Sequence, residues 1–204
     1  MGAAYLAIIF AIVFLMILSL LHLLKPELDP AWRMISEYEI GRFGWMMRLA
    51  FFSWGTSVLA MLITIWPFLQ PISRWWLVLI AIALVGAGIF KTNPITYDKP
   101  NVANTIHALC GTTVILTFPM VASLAVGSLL HSRLWLSSQN LLIFGTVLTW
   151  IGMVAFFASI IISRIMDPSA GRVGPHVYLG WPNRFMVVTY VLWTMMIAMT
   201  AFPH

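Results

Sequence analysis

Six long apolar runs divide this chain, and nearly all of its charge lies between them. All six acidic residues, and every Lys and Arg of the eleven except Arg74 and Arg133, fall in three short connecting segments. The centres of the runs hold none. A helix of roughly 20 apolar residues matches the hydrocarbon thickness of a bilayer. Only helices and closed barrels satisfy their own backbone polar groups there. The pattern therefore predicts an all-α polytopic membrane bundle, one transmembrane domain over residues 1–204. Its six transmembrane helices are expected at about 4–24, 46–69, 74–90, 103–130, 138–163 and 184–202.

Hydrophobic residues make up 61% of the chain and charged residues 8%, where a soluble domain is roughly a quarter charged. So much apolar surface excludes a water-soluble fold. The net charge of +5 is modest and confined to loops. It marks topology and contact with anionic lipid, not a nucleic-acid footprint. The lone cysteine, Cys110, can form no intramolecular disulfide and reads as a packing residue. The first run lacks the basic start and small-residue cleavage site of a secretory signal, so it is expected to be a retained helix.

The first, third and fifth connections share one side of such a bundle. With the adjoining helix ends they hold Lys25, Arg33, Arg42, Arg48, Lys91, Lys99, Arg164, Arg172 and Arg184. The positive-inside rule places that side in the cytoplasm, probably not in water alone but against the inner leaflet of a plasma membrane. In the first connection, Asp29-Pro30 is a helix-start signal. Leu28, Ala31, Trp32 and Ile35 then share one face, and Glu27, Arg33 and Glu37 largely take the other. This predicts a short amphipathic helix in the headgroup layer. Asp167-Pro168 repeats the start signal, but the glycine-rich stretch after it reads as loop.

Small residues form stripes on two spans: Ser53, Ser57, Ala60 and Thr64 on the second, and Gly145, Thr149, Gly152 and Ser159 on the fifth. In lipid, such stripes let backbones approach closely, so both are expected to be packing seams. Gly86-Ala87-Gly88 has the same reading, because no strand precedes it as a nucleotide loop would require. Pro119 predicts a kink in the fourth span.

The polar residues that carry chemistry gather on the charged face. Ser36, Glu37 and Glu39 follow the amphipathic segment. Thr92, Asn93 and Asp98 follow the third span. His107 lies about a turn inside the fourth, His22 near the end of the first, and Arg184 at the start of the sixth. Arginine suits a carboxylate or phosphate through paired hydrogen bonds. Histidine suits proton transfer. The candidate catalytic residues are therefore His107 and Glu37, with Glu37 also the expected partner of Arg184. The candidate ligand-binding residues are Arg184, Ser36, Thr92, Asn93, Asp98 and His22. Snorkelling of Arg184 to the headgroups and a purely structural role for His107 are the competing readings. No His-Glu-x-x-His or Cys-x-x-Cys spacing points to a metal. His22 with His107 is a slender basis for haem. No Gly-x-Ser-x-Gly elbow points to a serine hydrolase. No cofactor is specified.

The same residues carry a family resemblance. Ile35-Ser36-Glu37-Tyr38-Glu39-Ile40-Gly41 resembles the Ile-Ser-acid…Gly signature of the domain-of-unknown-function family 998. Gly88-Ile89-Phe90-Lys91-Thr92-Asn93, followed by Asn104-Thr105-Ile106-His107, is similar to its Gly-x-Phe-Pro-x-Asp…His element. Gly180-Trp181-Pro182-Asn183-Arg184-Phe185 through Trp193 resembles its Gly-x-x-x-Arg…Trp ending. Lys91 and Asn93 depart from the family's Pro and Asp, and the first signature is two residues longer. The resemblance implies a six-helix integral membrane protein with a polar cluster on one face. It implies no activity.

These readings lead to an integral membrane protein that binds or processes a lipid or other amphipathic small molecule through that cluster, with membrane lipids as partners. The alternatives are a non-catalytic scaffold docking a partner on the charged face, and a small-solute transporter. Only Pro119 and the Thr112, Thr113 and Thr117 group suggest a polar path through the spans. Oligomeric state is not encoded in any of these features.

Overall fold

In a computed structural model, residues 2–97, 99, 101–166 and 174–201 are described. The chain forms α1 (Gly2–Leu24), α2 (Gly44–Ile65), α3 (Pro71–Ile89), α4 (Val102–Leu129), the short α5 (Arg133–Leu136), α6 (Gln139–Met166) and α7 (Gly180–Thr200). Single 3-10 turns cover Ile35–Glu39 and Trp66–Phe68. The described residues contain no strand.

Five of these helices, α1 to α4 and α6, are long and apolar enough to cross a membrane. The last helix begins four residues earlier than the sequence predicts. Proline lacks an N–H but is tolerated in a first helical turn, so Trp181-Pro182-Asn183 opens α7 and does not precede it. The end predicted at 202 lies outside the described residues. Asn101 starts α4 by accepting a hydrogen bond from the Asn104 N–H (2.8 Å).

The helices close a ring in chain order. α1 packs on α2, α2 on α3, α3 on α4, α4 on α6, α6 on α7, and α7 back on α1, with α2 and α7 also touching across the middle. Both small-residue stripes are seams of this ring. Ser57 Oγ donates to the Ala7 carbonyl of α1 (2.6 Å). On α6, a Cβ at Gly152 would lie 2.9 Å from the Met186 Cα of α7, which leaves no room for a side chain. In lipid such close packing carries the association that water exclusion carries elsewhere.

The connections sort to two ends. At one, the Gln70 N–H meets Ser128 Oγ and Phe68 meets Trp135. At the other, the first and third connections meet the start of α7. Gly180 N–H donates to the Ala31 carbonyl (3.0 Å) and Ile95 N–H to Glu37 (2.8 Å).

The first connection forms no α-helix. Asp29 does start a turn, accepting from the Ala31 and Arg33 N–H groups. The turn stops at Met34, which is extended (φ −76°, ψ 154°). The reason is tertiary. The Pro30 and Arg33 carbonyls, which a longer helix would use for its own ladder, accept instead from the Arg184 guanidinium. The Asp167-Pro168 start signal and Arg172 lie outside the described residues.

Candidate functional site

The ionic residues of the charged end fold the first connection down as a lid. Arg184, 4% exposed, has every arm occupied. Its Nε donates to His22 Nε2 (2.7 Å), Nη1 to the Arg33 and Gly180 carbonyls (2.6 and 3.0 Å), and Nη2 to the Tyr38 hydroxyl (3.0 Å). His22 Nδ1 lies 2.7 Å from the Leu18 carbonyl. That contact assigns the ring proton to Nδ1 and leaves Nε2 to accept from Arg184. Both nitrogens of His22 are thereby used. Gly180 makes the arrangement possible, because a Cβ there would sit 2.7 Å from the Arg33 carbonyl oxygen.

Lys25 is a second clamp, which the sequence reading passed over as a topology signal. It is buried at the end of α1, and its Nζ donates to the Tyr38 and Ile40 carbonyls. Burial lowers its pKa from the ordinary lysine value.

The expected Glu37–Arg184 ion pair does not form. Glu37 pairs with Arg33 (3.1 Å) and accepts from the N–H groups of Met34 (3.0 Å) and Ile95 (2.8 Å). It ties the lid to the third connection. Glu39 does the same one turn on, accepting from Arg48 Nε (3.0 Å) and the Thr92 N–H (3.1 Å). Burial raises the Glu39 pKa above the usual carboxylate value, opposed by the Thr92 N–H, His107 and Arg48. Glu39, not Glu37, is the carboxylate near His107 (3.7 Å). The 3-10 pitch could have signalled this, since residues three apart share a face and Ser36 and Glu39 are so spaced.

Below the lid lies a cavity of about 270 Å³. Met34, Ile35, Ser36 and Thr92 form its upper edge. Phe51 and Trp54 of α2, Leu84 and Ala87 of α3, Asn183, Met186 and Tyr190 of α7, and the α4 face from His107 to Ile115 form its walls. None of the described lining residues is Asp, Glu, Lys or Arg. A Cβ at Gly111 would meet nothing within 4 Å, so this glycine is open to space and not a packing contact.

Pro119 shapes the floor. Proline has no N–H, so the carbonyl four residues earlier, at Ile115, lacks its helical partner. Tyr190 Oη donates to that carbonyl (2.9 Å), and its ring stacks on Phe118 at 4.4 Å. The proline thus joins α4 to α7 through a freed acceptor, a role the sequence reading did not assign.

Several polar groups around the cavity keep unused bonding capacity. His107 Nδ1 lies 3.0 and 2.8 Å from the Ala87 and Phe90 carbonyls, so it carries a proton. His107 Nε2 has no hydrogen-bond partner among the described residues. Asn183 Oδ1 accepts from the Ile35 N–H (3.1 Å) while its Nδ2 has no such partner. The Trp54 indole N–H is sealed from solvent and also unpartnered.

The structure therefore brings Ser36, Thr92 and His107 to one cavity and keeps Arg184, Glu37 and His22 out of it. Asn93 stays in the third connection, donating its N–H to Asn104 Oδ1 (2.8 Å). Asp98 lies outside the described residues. Sequence reading missed Trp54, Asn183 and Tyr190 as cavity residues. Each sits on an apolar helix, where only neighbouring helices reveal which face is vacant.

A helical membrane bundle with a neutral cavity under an ionic lid is the class that this fold and site define. Within it, the family model described as "Protein of unknown function (DUF998)" matches residues 8–200, and the chain belongs to that family. No curated protein and no solved structure matches it.

Proposed function

We propose that this protein binds an amphipathic, lipid-like molecule in the cavity beneath the lid. The polar end of the ligand lies toward Ser36, Thr92, His107 and Asn183, and its chain among Trp54, Val114 and Met186. The cavity itself carries the reading: an apolar chamber at membrane level whose neutral polar groups collect at one end. From His107 to Ile115 it runs roughly 12 Å along α4 at 1.5 Å per residue. The Tyr190–Phe118 stack closes its floor, which favours binding over passage of a solute.

In this reading the chain crosses the membrane six times, with α7 as the sixth span. Its 21 residues reach about 30 Å at 1.5 Å per residue. Arg184 can enter the membrane boundary because it is buried and fully bonded. The lid lies at headgroup depth, and the excess of Lys and Arg at that end places it on the cytoplasmic side of the plasma membrane. Membrane lipids are the source of the ligand.

The test is Gly111→Leu, which fills open space without meeting a neighbour. Wild type purified from membranes is expected to carry a bound amphiphile in native mass spectra, and the variant to lose it at unchanged thermal stability. Identical lipid profiles in the two proteins would refute the proposal.

A further inference from the structure

We infer that the ligand is an uncharged, hydroxyl-headed lipid with one acyl chain, joined through an ester or amide carbonyl. This rests on the binding reading above and adds the chemistry of the occupant.

The lining sets the charge. A carboxylate, phosphate or ammonium in this chamber would be a buried ion with no counter-charge, because the described lining residues include none. Such a burial is costly without a partner. Arg184 offers no rescue, since its contacts go to His22, Tyr38 and backbone carbonyls.

The unpaired groups set the polar pattern. At the lid end, His107 holds its proton on Nδ1. In the neutral ring Nε2 is then an acceptor, and it calls for a ligand O–H or N–H. Ser36 and Asn183 lie at the same end and complete a site for a hydroxyl-bearing head. Trp54 needs the opposite: its N–H lacks an acceptor. A buried donor without a partner is destabilising, and a ligand oxygen in the cavity relieves it. Trp54 follows Phe51 by three residues on α2, and the Phe51 ring meets the His107 ring at 5.8 Å. The donor therefore sits about one helical turn, some 5 Å, deeper than the acceptor. A head hydroxyl with a carbonyl a few bonds further in has that order and spacing. The apolar remainder of the chamber takes the start of the chain, which leaves past Ala108 and Thr112, both exposed on α4.

The test uses the full chain in nanodiscs and five ligands of equal chain length: a monoacylglycerol, its O-methylated form, a fatty alcohol, a fatty acid and an alkylammonium. Binding is read by native mass spectrometry on wild type, Trp54→Phe and Gly111→Leu, with thermal unfolding as the check on folding. The monoacylglycerol is expected to bind at least about tenfold more tightly than either charged ligand. O-methylation is expected to cost about tenfold, the worth of one buried hydrogen bond. Trp54→Phe is expected to weaken the monoacylglycerol by a similar factor and to leave the fatty alcohol, which has no carbonyl, unchanged. If the acid or ammonium binds as well as the neutral ligand, or Trp54→Phe affects both neutral ligands alike, the inference falls while the binding reading stands. If no ligand binds in a manner blocked by Gly111→Leu, both fall. Because three arms vary the ligand alone, a misfolded Trp54→Phe would not shield the inference.

Discussion

The ionic lid and the neutral cavity beneath it are adjacent but built on opposite rules. In the lid, Arg184, Lys25, Glu37 and Glu39 spend their bonds on backbone groups and on one another. Around the cavity, His107, Asn183 and Trp54 keep capacity unused. The difference follows from cost. A buried charge is tolerated only when fully paired, so it becomes architecture. A neutral group costs less to leave waiting, so it is the one that can wait for a ligand. In this protein the residues most visible as ionic chemistry hold the fold, and the inconspicuous ones face the vacant space.

The strongest way to break this contrast is Arg184→Ala. It strands His22, Tyr38 and several carbonyls, and removing a partner from a buried charged network costs about 3–5 kcal/mol. Thermal unfolding in detergent should show the loss, with ligand binding falling only as folding falls. A variant that folds normally yet no longer binds would return Arg184 to the ligand. Gly180→Ala comes next. Its Cβ would press on the Arg33 carbonyl oxygen, and such overpacking costs about 1–3 kcal/mol. The measured drop should appear together with faster proteolysis in the first connection. A neutral result would mean that the lid is looser than described.

Tyr190→Phe tests the floor. It leaves the Ile115 carbonyl without its donor, and hydrogen bonds between membrane helices are worth about 0.6–2 kcal/mol. Adding Pro119→Ala, which restores an N–H to that carbonyl, should recover part of the loss. If the two changes simply add, the proline did not create the acceptor that Tyr190 uses.

The smallest effect is a pH dependence. Burial raises the folded-state pKa of Glu39 above 4.5. Below that value the carboxyl is protonated in both states. Between 4.5 and the raised value, only the folded chain keeps the proton. This contribution therefore favours folding at the acidic end of the window and is lost as pH rises through it. Glu39→Gln should flatten that part of the stability profile. An unchanged slope would remove Glu39 from the titrating groups.

Much of the architecture was legible because it rests on local rules. The apolar runs named the helices, and the small-residue stripes named the seams between α1 and α2 and between α6 and α7. The charged residues named the end at which the connections meet. The pairings at that end were not legible. Glu37 and Glu39 differ by two residues, yet one faces Arg33 and the other Arg48 and His107. The predicted amphipathic helix failed for a related reason. Its periodicity was sound, but Arg184, some 150 residues away in the chain, claimed the carbonyls that its ladder needed.

By itself, the sequence determined that this chain is an α-helical membrane protein with its ionic groups at one end, because hydrocarbon imposes the same demand on every span. Tertiary structure alone decided which polar groups are spent and which are vacant. That outcome depends on where distant helices place single donors and acceptors to within about an ångström, a hydrogen bond's tolerance, and residue spacing along one helix does not contain it.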